Sequence, residues 1–487
     1  MTTLEEIVSR FKIEFVAQFV AVGAGGLLLV LLARLLEPAE YGLLFLAIAV
    51  FGVLGVVSKL GIAKSGARYV AEYKERDPSQ LPHILRTCLL YNLATIGIVV
   101  VALAVGHQLI ADALGEPALA PLLVLGIGYV VVESLKVYVR LVLQGFESIQ
   151  FAGTIYALDQ ASRLVFAVTF VLLGFGALGA LAGYILSFTL AAGIGLIVIY
   201  VHHYRPHRGE GAVEPGLRRR IAEYTAPLTA TSTANVLDKQ IDTVLVGFFL
   251  TPVAVSYYVL SKQIVHFVET PVKALGFTIS PTFGAEKASG NSAHAARIYE
   301  QALIHTLLLY IPIAVGLVLV ARPTIALIFG SEYLEAVVVL QVLSAYIVLQ
   351  SITTLTSNSL DYLGRAKSRA IVKGVTAVMN VVLNVILIPR LGVVGAAVAT
   401  VITYSLYTVA NVVIIHQEFP LQLGRVARSI GQIVTITGVM AAVVYIVRDA
   451  VHGFVSLFSV VALGVVVWAV LAIATGLLSR QKLTSIA

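Results

Sequence analysis

The sequence predicts an all-α integral membrane protein. About 14 transmembrane helices form two pseudo-symmetric six-helix lobes around a central cavity, followed by two additional C-terminal helices. Three observations carry this. First, the 487 residues are 59% hydrophobic and only 12% charged, with a mean hydropathy of +0.95, whereas soluble domains average about 25% charged. Second, apolar runs long enough to span a bilayer alternate with charge clusters and Gly/Pro breakers. Third, phrases in the first half return in the second at a nearly constant offset.

In chain order, the spans expected are 15–32, 43–57, 88–110, 118–139, 151–174, 176–200, 226–250, 253–280, 302–320, 334–355, 370–388, 393–415, 430–447 and 454–478. Arg10 and Lys12 precede the first run, which is longer than a signal-peptide core and lacks a small-x-small cleavage site, so it reads as a retained span. Basic residues test the count. With the N-terminus inside, 25 of the 33 Lys and Arg fall in inner segments or inner span ends, and only Arg34, Arg322, Arg390 and Arg448 fall outside. A wrong count would scramble that alternation, so both termini are expected in the cytoplasm, in a multi-pass protein of the cytoplasmic membrane. The net charge of +7 is then orientation rather than nucleic-acid binding. The single cysteine, Cys88, permits no internal disulfide and no Cys metal cluster.

The repeat runs as follows. RLLEPAEYGLLFLA at 34–47 is echoed by FFLTPVAVSYYVLS at 248–261, with Pro38 and Pro252 214 positions apart. GALGALAGYILS at 176–187 matches GVVGAAVATVIT at 392–403 at offset 216. LQGFES at 143–148 sits opposite LDYLGR at 360–365 at offset 217. Six spans per half is an even number, so the halves form a parallel repeat. The division expected is 1–204 for the first lobe, 205–224 for a basic cytoplasmic linker carrying RRR at 218–220, 225–417 for the second lobe and 418–487 for the extra helices. All loops are short and no GxxxxGK[ST] occurs. That excludes a fused nucleotide-binding domain and argues against a membrane glycosyltransferase or polymerase with a large catalytic loop.

These stretches carry a resemblance. LLEPAEYGLLFLA, GARYVAEY at 66–73, APLTATSTANVLDKQIDTVLVGFFL at 226–250 (with Pro227 and Asp242) and GVVGAAVATVITY at 392–404 resemble, in order and spacing, the polysaccharide flippases of the multidrug/oligosaccharidyl-lipid/polysaccharide exporter superfamily. The resemblance implies a V-shaped helical bundle that flips lipid-linked oligosaccharide by alternating access, for surface polysaccharide or glycoprotein assembly. It implies no enzymatic activity and no cofactor. Its partners would be the polyprenyl (di)phosphate-linked glycan, membrane lipids and glycosyltransferases or a polymerase of the same pathway. The alternatives are a multidrug/cation antiporter of the same superfamily and a lipid II flippase.

A charge inside a span needs a reason. Span eight carries Lys262, His266, Glu269 and Lys273 at i, i+4, i+7 and i+11, one helical face. Span seven carries Thr231, Asn235, Asp238 and Asp242, with Lys239 beside them. Span five carries Asp159 and Arg163, span four Glu133, and span one Glu14 and Gln18. Phosphate crossing about 30 Å of hydrocarbon requires counter-charge, for which Lys262, Lys273, Lys239 and Arg163 are candidates. His266, Asn235, Thr231, Tyr257 and Tyr258 are candidates for the sugar. Asp238, Asp242, Glu269 and Asp159 either balance these cations or bind a coupling cation. Bland readings stand beside these. Asp159–Arg163 neutralises itself, Lys273 snorkels to the interface, and His266 packs between helices. No residues are expected to hold a resident metal.

Overall fold

The computed structural model describes residues 4–59, 61–209, 211–269, 283 and 291–478, with some side chains near the N-terminus and within 230–238 outside the description. Lys273 and the second half of the expected eighth span lie outside the described residues. So do the side chains of Glu14, Thr231, Asn235 and Asp238.

Every regular element described is helical. The helices are α1 (Leu4–Leu35), α2 (Pro38–Lys59), α3 (Ile62–Arg76), α4 (Leu81–Ala113), α5 (Leu119–Gly145), α6 (Ile149–Phe170), α7 (Gly176–Ile199) and α8 (Leu217–Phe249). They continue with α9 (Pro252–Val268), α10 (Ser292–Thr324), α11 (Ala336–Tyr362), α12 (Ala366–Leu391), α13 (Val393–Glu418), α14 (Leu423–Val447) and α15 (Phe454–Ala474). Ten stretches among the described residues are long and apolar enough to cross a membrane. The longest, Ile149–His207, is α6 and α7 joined at a break, and Val20–Leu35 of α1 is a shorter apolar helix. α8 and α9 are not among the ten, because polar residues interrupt α8 and α9 is only 17 residues long. Val105, Ile446 and Val455 are 81%, 78% and 82% exposed, the surface of a chain that meets lipid rather than water.

The repeat is written into the backbone. Gly176 (φ 51°, ψ −140°) and Gly392 (φ 62°, ψ −147°) open α7 and α13 in the same rare conformation, one that only glycine adopts without strain. They are the pair matched in sequence at offset 216. At offset 217, Glu147 (φ 57°) and Gly364 (φ 77°) follow the ends of α5 and α11 in the same left-handed region. Pro38 and Pro252 each open a helix, where the missing N–H costs nothing.

By packing, residues 1–256 form one compact unit and 257–487 another. In the first, α8 packs on α2, α3 and α4, although the repeat makes it the first helix of the second half. The α2–α8 approach is close: a side chain on Gly52 would strike Gln240, and one on Gly247 would strike Leu46. The sequence reading also missed α3, which falls between the expected spans 43–57 and 88–110. Its buried Ile62, Gly66, Tyr69, Val70 and Tyr73 fall at helical spacing, while Lys64, Arg68, Lys74 and Arg76 occupy the other positions. The 205–224 segment is pinned to this helix. Tyr73 donates to Glu214, Arg220 pairs with Glu214 at 2.7 Å, and Gln80 Nε2 donates to the Ala212 carbonyl at 3.0 Å.

Candidate functional site

In the first unit, α5, α6 and α7 bring together a charged cluster within the apolar bundle. Small residues make this possible. A side chain on Gly183 would overlap the Ala167 backbone, and one on Gly195 would overlap Val139, so α7 lies close on both α6 and α5. At the centre, Asp159 is 1% exposed. Its Oδ2 accepts from Lys136 Nζ at 3.1 Å and Arg163 Nη2 at 3.1 Å, and its Oδ1 from Ser187 Oγ at 3.1 Å. Arg163 also donates to the Gln160 side-chain carbonyl. The Lys136 ammonium lies 3.4 Å from the centroid of the Phe188 ring, and the Arg163 guanidinium 5.1 Å from the Tyr184 and Phe188 rings.

Lys136 therefore corrects the sequence reading in one respect. The Asp159–Arg163 pair is not self-contained, because the carboxylate is shared with a second cation from α5. One acid now serves two cations. Glu133 and Arg140 lie one turn to either side of Lys136 on α5, and the Arg140 guanidinium stacks 4.5 Å from the Tyr156 ring centroid. The face carries three cations and two acids. Donors remain to spare: an ammonium has three and a guanidinium five, and Arg163 Nε is buried without a hydrogen-bond partner. The signal that would have found Lys136 is the i, i+3, i+7 spacing of Glu133, Lys136 and Arg140.

In the second unit the predicted stripe on α9 divides by environment. Lys262 is half-buried, with its ammonium 5.3 Å from the Tyr258 ring centroid. His266 is exposed, whereas Glu269 is buried, and His266 Nδ1 lies 3.5 Å from its carboxylate. Tyr257 and Tyr258 are corrected as sugar partners. Both are buried, and their hydroxyls bond the Glu332 carbonyl and the Thr400 hydroxyl at 3.3 Å, so they are packing residues. On α8, which belongs to the first unit, Asp242 is buried and Lys239 exposed, three residues apart. A cation that the sequence reading placed at an inner span end, Lys373 of α12, sits among tyrosines. Its Nζ donates to Tyr404 Oη at 3.1 Å and lies 4.6 and 4.8 Å from the Tyr404 and Tyr407 ring centroids. Lys373, Thr376, Asn380 and Asn384 share one face at helical spacing, a stripe as legible as the one on α9.

The polysaccharide biosynthesis protein family model matches residues 11–285, more than half the chain and the whole of the α5–α7 cluster. The chain belongs to the polysaccharide biosynthesis protein family. A MatE model also matches residues 227–386. Among curated relatives, this family member is 24% identical over 82% of its length to the probable low-salt glycan biosynthesis flippase Agl15 of Haloferax volcanii, covering 81% of that protein. It is 25% identical over 85% of its length to the lipopolysaccharide biosynthesis protein WzxC of Escherichia coli, again covering 81%. Among solved structures, the lipid II flippase MurJ in an inward closed conformation superposes with TM-score 0.77 at 16% identity. That superposition covers 94% of this polysaccharide biosynthesis protein and 97% of MurJ. An inward-facing multidrug MATE transporter gives TM-score 0.70 at 15% identity, over 87% and 98%. These two likenesses fix the fold.

Proposed function

We propose that the protein is a flippase that carries lipid-linked oligosaccharide across the cytoplasmic membrane by alternating access, with both termini cytoplasmic. The observation that carries this reading is the intramembrane cluster in which one buried carboxylate holds two cations. A polyprenyl phosphate or diphosphate is the charged part of such a substrate, and unpaired in hydrocarbon it is prohibitive. Lys136 and Arg163 supply counter-charge with donors to spare, and Arg163 matches phosphate geometry as a planar fork. Asp159 holds and orients both cations when no substrate is present. Lys262, Lys239, Lys273 and Lys373 are secondary candidates for the same task, and His266 and Asn235 for the glycan. Asp238, Asp242 and Glu269 are candidates for charge balance or a coupling cation. Pathway glycosyltransferases or a polymerase would be functional partners.

The names of the relatives in H. volcanii and E. coli, both of glycan or lipopolysaccharide biosynthesis, support the substrate class. The cation-rich cluster favours it over a cation antiporter, which would present carboxylates without cations bound to them. A deletion strain tests the reading. Lipid-linked oligosaccharide should accumulate on the cytoplasmic leaflet and surface glycan should fall, with glycosyltransferase activity intact. Unchanged surface glycosylation in a strain without a paralogue would refute it.

A further inference from the structure

A charged cavity, of about 650 Å³, lies in the second unit, remote in sequence from the α5–α7 cluster. It is bounded by the C-terminal turns of α10, the start of α11 and the α14–α15 connection. Its polar residues are Arg322, Gln341, Arg448, Asp449 and His452; Val318, Leu327, Val337 and Val451 are among its apolar walls. Two features mark it as a site. Arg322 is exposed, and its guanidinium has no hydrogen-bond or ion-pair partner among the described residues, so it is available to a ligand in the pocket it lines. Arg448 is held in place from one side, its guanidinium stacked 3.9 Å from the Tyr445 ring centroid. Its one ion pair among the described residues is with Asp449, which is 89% exposed and 3.5 Å away, a contact that contributes little in water. Gln341 is tied to the Val318 carbonyl at 3.2 Å, which fixes the wall between them.

We propose that this pocket binds a phosphate group through Arg322 and Arg448, and that the phosphate is the head group of an anionic membrane lipid. Two guanidiniums lining one pocket suit phosphate oxygens, and the charge count puts both at the outer ends of their helices, where head groups of the outer leaflet lie. The apolar walls favour the lipid source, because a glycerol backbone and upper acyl carbons lie against them while free phosphate gains nothing there. The site shares no residue with the α5–α7 cluster, so its failure leaves the flippase reading untouched.

The test uses the purified full chain and native mass spectrometry, titrating phosphatidylglycerol against wild type, the R322Q/R448Q double variant and R390Q. Arg390 is a basic residue at the end of α12, outside the pocket. Wild type and R390Q should retain one phosphatidylglycerol that the double variant holds about thirtyfold more weakly, from roughly 1 kcal/mol for each solvent-accessible guanidinium–phosphate pair lost. R322K/R448K should retain most of the binding, and zwitterionic phosphatidylcholine should not substitute. If the double variant does not fold, R322Q alone, which breaks no hydrogen bond or ion pair among the described residues, should bind about fivefold more weakly. If excess inorganic phosphate displaces the lipid and itself binds wild type but not the double variant, the phosphate site stands and its source is the free anion. Equal lipid binding by wild type and the double variant, or by wild type and R322Q where the double variant does not fold, would overturn the proposal. So would an equal loss in R390Q.

Discussion

Asp159→Asn is the most informative single change. It keeps the side-chain shape and an acceptor for Ser187 but removes the anion that both Lys136 and Arg163 contact at 3.1 Å. Two cations, 20% and 15% exposed, are then left facing each other. Removing one partner of a buried ion pair costs about 3–5 kcal/mol, and the residual exposure of the cations puts this case near the lower end, about 3 kcal/mol. Arg163→Gln is milder, because Asp159 keeps Lys136 and Ser187; about 1–2 kcal/mol is expected. In Asp159→Asn/Arg163→Gln only Lys136 is left without its carboxylate and the repulsion between two cations is gone, so part of the loss should return as a favourable coupling of about 1 kcal/mol. The assay is thermal unfolding of the purified protein at fixed detergent and lipid. Asp159→Asn should fall by several degrees, Arg163→Gln by less, and the double variant should lie above the sum of the two. If Asp159→Asn is as stable as Arg163→Gln, the carboxylate is not the hub of the cluster.

Two further outcomes follow from the cytoplasmic segment and the charge pattern. Hydrogen bonds from Tyr73 and Arg220 hold the Glu214 carboxyl below its usual range. A depressed folded pKa gives stability that is present above the unfolded value of about 4.3 and is lost as pH falls through the lower folded value. Amide protection at residues 211–216, taken relative to the intrinsic exchange rate at each pH, should therefore be high at neutral pH and lower well below pH ~4, with Glu214→Gln low at both; protection independent of both pH and Glu214 would contradict the latch. For sidedness, in a background with Cys88 replaced, a cysteine at Glu116 should react with an impermeant reagent in intact cells and one at Arg208 should not. The reverse labelling would invert the proposed topology.

Much of the fold was legible because the membrane imposes long apolar periods and because glycine marks unusual backbone. The offset linking Gly176 to Gly392 in the sequence is the offset at which the backbone repeats its positive φ. What was not legible depends on tertiary packing. α3 was hidden by its charges, although its apolar face is periodic. The grouping of α8 with α2–α4 cannot be read from a repeat, since the repeat assigns it to the other half. In the candidate site, Asp159 and Arg163 were visible as an i, i+4 pair, but their third partner lies 23 residues away on α5. Charge counting had placed Lys136 and Lys373 among the orientation signals, which obscured their contacts with an acid and with aromatic rings. Tyr257 and Tyr258 were overvalued because a hydroxyl in a span reads the same whether it faces a path or bonds a neighbouring helix.

The central claim is that cations on α5 and α6 carry the phosphate of a lipid-linked glycan. The most direct measurement is flipping of a fluorescent polyprenyl-diphosphate oligosaccharide in vesicles containing the purified protein, read as the fraction accessible to an external quencher over time. Wild type should equilibrate the lipid across the bilayer. Lys136→Gln and Arg163→Gln should each slow this by at least about tenfold, the effect of roughly 1.4 kcal/mol on the barrier, and Arg163→Lys should fall between. Wild-type flipping rates in both charge-removed variants would contradict the account.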